Sequence, residues 1–277
     1  SPRKKLQALL PILLLLYIIS CASYGVSEGK NIQKYPSSGE QSSQDFSVFL
    51  VGDTQNFDQK EGQKTHSLLK RQLDSAGQNS FLLFLGNTAS TLPSDSLQTD
   101  VPSIQNLIEN FKGKTLIIPG NEDWKNGLEG LKNQERTFKN ILKTKDAFLP
   151  KDGCALDKIK VNDRLVLITV NSEWIIANWD HYPGINKNCD LQTRDDFYAE
   201  LRSMLIKYQN QTVILAMHHP ILNTGTHAGY TSAKMQLYPG TSKIPLPILG
   251  SVYRVLSSAS GNSSQDLNNQ RYADFSR

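Results

Sequence analysis

The sequence predicts an α/β protein whose chemistry sits at the ends of parallel strands, and three features carry that expectation. Four short apolar runs each stop abruptly and release polar side chains: Ser47 to Asp53 (S-V-F-L-V-G-D), Phe81 to Asn87 (F-L-L-F-L-G-N), Leu116 to Trp124 (L-I-I-P-G-N-E-D-W) and Thr212 to Pro220 (T-V-I-L-A-M-H-H-P). Runs of this length punctuated by Gly or Pro read as buried strands. Between the first three, apolar residues recur at helical spacing, and alternating strand and helix is the pattern of a parallel sheet. The exits carry Asp, Asn, Asn and His, and ligands of open α/β sheets bind where strand carboxyl ends converge.

The chain has 277 residues, 38% apolar and 20% charged, enough for one large domain with its own core. It starts with Arg3, Lys4 and Lys5, then an apolar run from Leu6 to Ile19 broken only by Gln7 and Pro11, then Ser20 and Cys21. Residues 1–21 therefore read as a signal peptide. Ile18-Ile19-Ser20-Cys21 resembles the bacterial lipobox, in which the cysteine is lipidated and becomes the new amino terminus; a simple membrane anchor is the alternative. The expected location is a bacterial membrane, with the protein exported and facing the periplasm or cell surface. Residues 22–45 are rich in Ser, Gly, Gln and Lys and form a disordered tether on this reading, with a reach of roughly 25–30 Å. Net charge is +4, and removing the three basic residues of the signal leaves 27 against 26 acids. That balance leaves no nucleic-acid footprint.

The remaining domain is expected over 46–277. Leu68, Leu69, Leu73 and Ala76 fall on one helical face, and Ile104, Leu107, Ile108 and Phe111 on another, with Pro102 tolerated in a first turn. Leu128, Leu131, Phe138, Ile141 and Leu142 predict a third helix, weakened at its start by Gly127 and Gly130. The pattern then changes: Ala155 to Val161 and Arg164 to Val170 flank Asn162-Asp163, which suits a two-residue hairpin loop. Thr193 caps a helix with Phe197, Leu201, Leu205 and Tyr208 inside. After Pro220 the glycines and prolines read as a long folded loop. In an exported chain Cys154 and Cys189 can pair, which on the loop-entropy account is worth roughly 3–4 kcal/mol; two free buried thiols are the alternative.

A carboxylate, two amides and an imidazole are oxygen and borderline nitrogen donors that suit Mn, Fe or Zn. Two such ions a few ångströms apart can clamp the attacking and leaving oxygens of a phosphoryl displacement. The order G-D, G-N-x-x, P-G-N-x-D-W and H-H-P, from about Phe46 onward, resembles the calcineurin-like metallophosphoesterases, and within them the purple acid phosphatase branch. The stretch from Cys154 to Pro247 looks like an exported bacterial subgroup. The resemblance implies an α/β/β/α sandwich with strand-end loops forming a metal site. It implies one or two divalent ions, a phosphate-ester substrate, hydrolysis by a metal-activated water, and a lipid anchor in the membrane.

Carried over residue by residue, Asp53, Asn87, Asn121 and His218 match metal-binding positions, and Glu122 and His219 are candidate catalytic residues, as is His227 in T-G-T-H-A-G, which either contacts substrate phosphate or only sits in a mobile Gly-rich loop. The pattern departs from the family in several places. Gln55 stands where many members have a histidine, Ser90 where purple enzymes have a tyrosine, and no G-H-x-H follows before Arg277, as expected of a truncated chain. Asn87 replaces the bridging aspartate, and an amide oxygen bridges two cations poorly. Glu122 replaces the histidine that assists the leaving group. At about 5 Å and an effective dielectric near 20, its charge would repel a phosphoester by roughly 3 kcal/mol, although a protonated Glu122 could serve as an acid. A binding lipoprotein that has lost turnover is the competing expectation. Trp124, Trp174 and Trp179 are expected to pack rather than to stack on substrate.

Overall fold

The structure, a computed structural model, describes residues 46–54, 57, 60–88, 101–179, 182, 184–221, 238 and 269–276. The segment expected as a signal peptide, with Cys21, the tether expected over 22–45, and Gln55, Ser90 and His227 lie outside these residues, as does nearly all of the loop expected after Pro220. Ser38–Pro220 is one compact unit. Of the other unit the described part is chiefly a short helix, Gln270–Ser276, in which Tyr272 is buried.

The larger unit begins as the sequence pattern predicts. Strands β1 (Ser47–Val51), β2 (Ser80–Phe84) and β3 (Lys114–Ile117) alternate with helices α1 (Lys60–Ser75) and α2 (Val101–Ile108) and pair in parallel in the order β1-β2-β3. Every residue of β2 is buried, as a central strand covered on both faces requires. Leu73, Ile104 and Leu107 are fully buried, but Leu68 is 54% exposed, so the buried stripe of α1 is narrower than its leucines imply. Helix α3 (Gly127–Leu142) follows, with Leu131 and Phe138 buried.

The fourth strand does not extend this sheet. β4 (Leu156–Lys160) and β5 (Leu165–Val170) pair antiparallel, and β6 (Thr212–Met217) pairs in parallel with β5 to complete a second three-stranded sheet. His218 therefore reaches the site from a different layer than Asp53, Asn87 and Asn121. The hairpin between β4 and β5 also differs from the expected two-residue loop. Val161 and Asn162 N–H both reach the Leu165 carbonyl, and Asn162 Oδ1 accepts the Arg164 N–H at 2.8 Å. The turn thus spans 162–164, and the Asn side chain closes it in place of a residue with positive φ.

The two sheets meet face to face. Phe81, Leu83, Leu116 and Ile118 from the first and Leu167 and Ala216 from the second form one buried cluster. A short helix, α4 (Ser172–Ile176), follows β5, and on the far side of the second sheet Val166 and Ile168 pack with Met204 of α5 (Arg194–Lys207). Thr193 and Asp196 form a reciprocal capping box at the start of α5. Leu205, expected inside, is 41% exposed, and Met204 takes its place. The result is the layered α/β sandwich in which strand ends of both sheets meet at one edge. A disulfide joins Cys154 and Cys189, whose Cα atoms are 5.5 Å apart, and so ties the segment before β4 to the loop before α5.

Candidate metal centre

Two residues beyond β1, Asp53 adopts φ 47°, and three beyond β2, Asn87 adopts φ 53°. Asp and Asn tolerate this left-handed region better than other side-chain-bearing residues, so Gly-Asp and Gly-Asn both turn the chain and present a polar group. Gly86, at φ 91°, has a further reason to lack a side chain. A Cβ there would lie 2.6 Å from His218 Nδ1 and 2.7 Å from the Gly120 Cα. Gly120 is held as tightly: a Cβ would lie 2.9 Å from His218 Cε1 and would collide with the Asn87 side chain.

Asp123, to which the sequence reading assigned no role, locks these loops together. It is fully buried, and its Oδ2 accepts the Asn87 N–H at 2.9 Å and the Gly120 N–H at 2.7 Å, pinning the ends of β2 and β3 to each other. Burial pushes its carboxyl up to about 6, against the opposing pull of those N–H groups. The available signal was its place three residues after Gly120, where an aspartate can turn back onto the backbone. Trp124 is fully buried beside it, and its Nε1 donates to Asn171 Oδ1 at 3.2 Å. Trp174 is fully buried and Arg194 covers the Trp179 ring, so all three tryptophans pack.

His218 Nδ1 lies 2.6 Å from the Leu85 carbonyl, which can only accept, so this nitrogen carries the proton. Burial lowers the pKa of the ring and keeps it neutral, outweighing the opposite pull of the Leu85 carbonyl, Asp53 and Glu122. Nε2 then keeps its lone pair, which points at Asn121 Oδ1 at 2.9 Å. The amide orientation is set by its other contacts: Asn121 Nδ2 donates to Glu122 Oε1 at 3.0 Å, and Asn87 Nδ2 approaches Asn121 Oδ1 at 3.4 Å. Flipping the amide would set oxygen against carboxylate and NH2 against NH2.

Glu122 and Asn87 are bound to each other. The Glu122 N–H donates to Asn87 Oδ1 at 3.0 Å, so the oxygen expected to bridge two cations is already an acceptor. The Glu122 carboxylate also pairs with Lys125, which offsets part of the charge that would repel a phosphoester. His219 is not beside these groups. Its Nδ1 lies 2.8 Å from Ser172 Oγ, its Nε2 is 3.8 Å from Glu173 Oε2, and only 5% of the residue is exposed. The structure places His219 in a buried position behind His218, whose ring it meets edge-on.

Among the described residues no group of three or more His, Cys, Asp or Glu gathers as a metal site. The donors that do converge are mixed, and the facing lone pairs of His218 Nε2 and Asn121 Oδ1 fit a shared cation, with Asp53 close enough to act on His218 electrostatically. The fit is to one ion, since the neutral Asn87 oxygen already accepts the Glu122 N–H and keeps one lone pair, too few to bridge two cations.

A sequence model described as calcineurin-like phosphoesterase matches residues 46–245, a span that includes every residue of this centre. No curated protein matches the chain. Among solved structures, a protein of unknown function from Aquifex aeolicus is 12% identical, over 64% of this chain and 81% of that one, at a TM-score of 0.32, too slight a likeness to argue from.

Proposed function

Because the chain belongs to the calcineurin-like phosphoesterase family, we propose that it is a metal-dependent phosphoesterase with a single-metal centre and weak turnover. The observation that carries this reading is the 2.9 Å approach of two lone-pair atoms, His218 Nε2 and Asn121 Oδ1, from two different sheets. Asn121, His218 and Asp53 would hold a divalent ion of the Mn, Fe or Zn kind. When bound, that ion supplies Lewis-acid polarisation of a phosphate ester and of the attacking water.

The chain's own residues do the rest. Asp123 and the two glycines hold the donor loops in register, and the Leu85 carbonyl fixes the His218 tautomer so that the ring offers a lone pair. Glu122, held by Asn121 and Lys125, is the candidate group for giving a proton to the departing oxygen. A competing reading, a phosphate-ester-binding protein without turnover, is favoured by the engagement of Asn87 Oδ1. Hydrolysis of p-nitrophenyl phosphate with added Mn, Fe or Zn separates the two. Metal-dependent turnover lost in His218→Ala supports the enzyme, whereas metal binding with no turnover supports the binding protein.

For location, the basic start, apolar run and Ser20-Cys21 support an exported lipoprotein anchored through Cys21. Acyl labelling that persists in Cys21→Ser would refute it.

A further inference from the structure

At the end of β3 opposite the metal centre, a half-open cavity of about 680 Å³ lies between the carboxyl ends of α2 and α3 and the beginnings of β3. Its volume falls within the roughly 300–1,000 Å³ of ligand pockets. Its lining is chemically divided. Phe81, Phe111, Leu116, Ile141 and Ile159 supply an apolar floor that runs into the core between the two sheets. Lys114 and Lys143 stand on the wall, both exposed, and Lys112 and Lys145 flank them in the sequence.

The charge balance at this mouth is lopsided. Glu109 and Asp146 also line the cavity, but each already faces another lysine: Glu109 lies 3.8 Å from Lys70, and Asp146 lies 2.8 Å from Lys151. The Lys151 ammonium beside Asp146 holds that carboxyl below its usual range. Among the described residues, Lys112, Lys114, Lys143 and Lys145 form no ion pair. Cations over an apolar floor complement one kind of small molecule, with a negative head and a hydrocarbon body.

We infer that this cavity is a binding site for a single-chain amphipathic anion, its acid group at Lys114 and Lys143 and its chain on the floor of Phe81, Leu116 and Ile159. The site is separate from the metal centre, since Lys114 begins β3 and Asn121 follows its end. It does not depend on the phosphoesterase reading.

The test uses the full chain and dansyl-labelled undecanoate, kept below its micelle concentration, in a fluorescence titration. Saturable binding of one probe per chain is expected, with displacement by laurate and not by dodecyltrimethylammonium, which has the same tail and the opposite charge. Lys114→Glu with Lys143→Glu should weaken probe binding by about tenfold or more, and Ile159→Trp should block it by filling the floor. If the tryptophan variant loses its native circular dichroism, the charge-reversed variant alone decides. Competition by lysophosphatidylglycerol as well as laurate would point to a lipid headgroup as the source of the anion, and competition by laurate alone to a free carboxylate. Absence of saturable binding, equal displacement by the cationic amphiphile, or an unchanged affinity after charge reversal would each overturn the inference.

Discussion

His218 Nε2 and Asn121 Oδ1 stand 2.9 Å apart with a lone pair on each, one delivered by β6 of the second sheet and the other by the loop after β3 of the first. Two acceptors at that distance repel unless something positive lies between them. The pair therefore predicts metal uptake that needs both residues. Elemental analysis after equilibration with Mn or Zn should find at most one ion per chain, and none after His218→Ala or Asn121→Ala. Two tightly held ions in the unaltered chain would contradict the single-metal centre.

Substitution at Asn87 separates its two tasks. Asn87→Asp keeps an acceptor for the Glu122 N–H and adds the charge that offsets repulsion between two cations. Metal stoichiometry should rise above that of the unaltered chain. Glu122→His should instead raise turnover with little change in metal content, because Glu122 is bound to Asn121 Nδ2 and Lys125 rather than at the facing lone pairs. Metal content and phosphatase rates measured side by side on both variants check this.

Removing the Asp123 carboxylate should damage the loops before it damages any donor. Asp123→Ala orphans the buried Asn87 and Gly120 N–H groups, at about 1–3 kcal/mol each. Denaturant unfolding should show a loss of roughly 2–5 kcal/mol, with Asp123→Asn milder because its amide oxygen can still accept. A loss under about 1 kcal/mol for the alanine variant would mean that the loops are held by other contacts.

Glu173 predicts a pH-dependent stability. Burial pushes its carboxyl from 4.5 up to about 7, so the folded state holds this proton more tightly than the unfolded chain does. Where the folded state binds more protons, stability falls as pH rises. This contribution is fully present below about pH 4.5, is lost between there and about pH 7, and is level above. The shift corresponds to roughly 3 kcal/mol. Glu173→Gln should flatten that part of the profile; an unchanged slope in urea unfolding across this range would refute the assignment.

The bridge between Cys154 and Cys189 closes a separation of 35 residues. On the loop-entropy account its removal should cost roughly 3–4 kcal/mol. Alkylation of the unreduced folded protein should label neither cysteine, and Cys154→Ser with Cys189→Ser should unfold at lower denaturant. Two alkylated thiols before reduction would contradict the bridge.

Local pattern carried much of the fold. The runs ending at Gly52, Gly86 and Pro119 and the helical stripes around Leu73 and Leu107 fall within a few residues of the observed elements, because period and punctuation are set by each segment's own residues. That Asp53, Asn121 and His218 follow apolar strands as polar residues was legible for the same reason. What needed the tertiary structure was everything set by a partner distant in sequence. The placing of β6 in a second sheet depends on its pairing with β5, and no periodicity within β6 encodes which neighbour it takes. The burial of His219 depends on Ser172 and Glu173, some 47 residues away from it, although it adjoins His218 in the chain. Asn87 illustrates the division most sharply: its identity could be read as a lost bridging charge, but the use of its oxygen by the Glu122 N–H follows only from the packing of β2 beside β3, with Asp123 holding the two strand ends together.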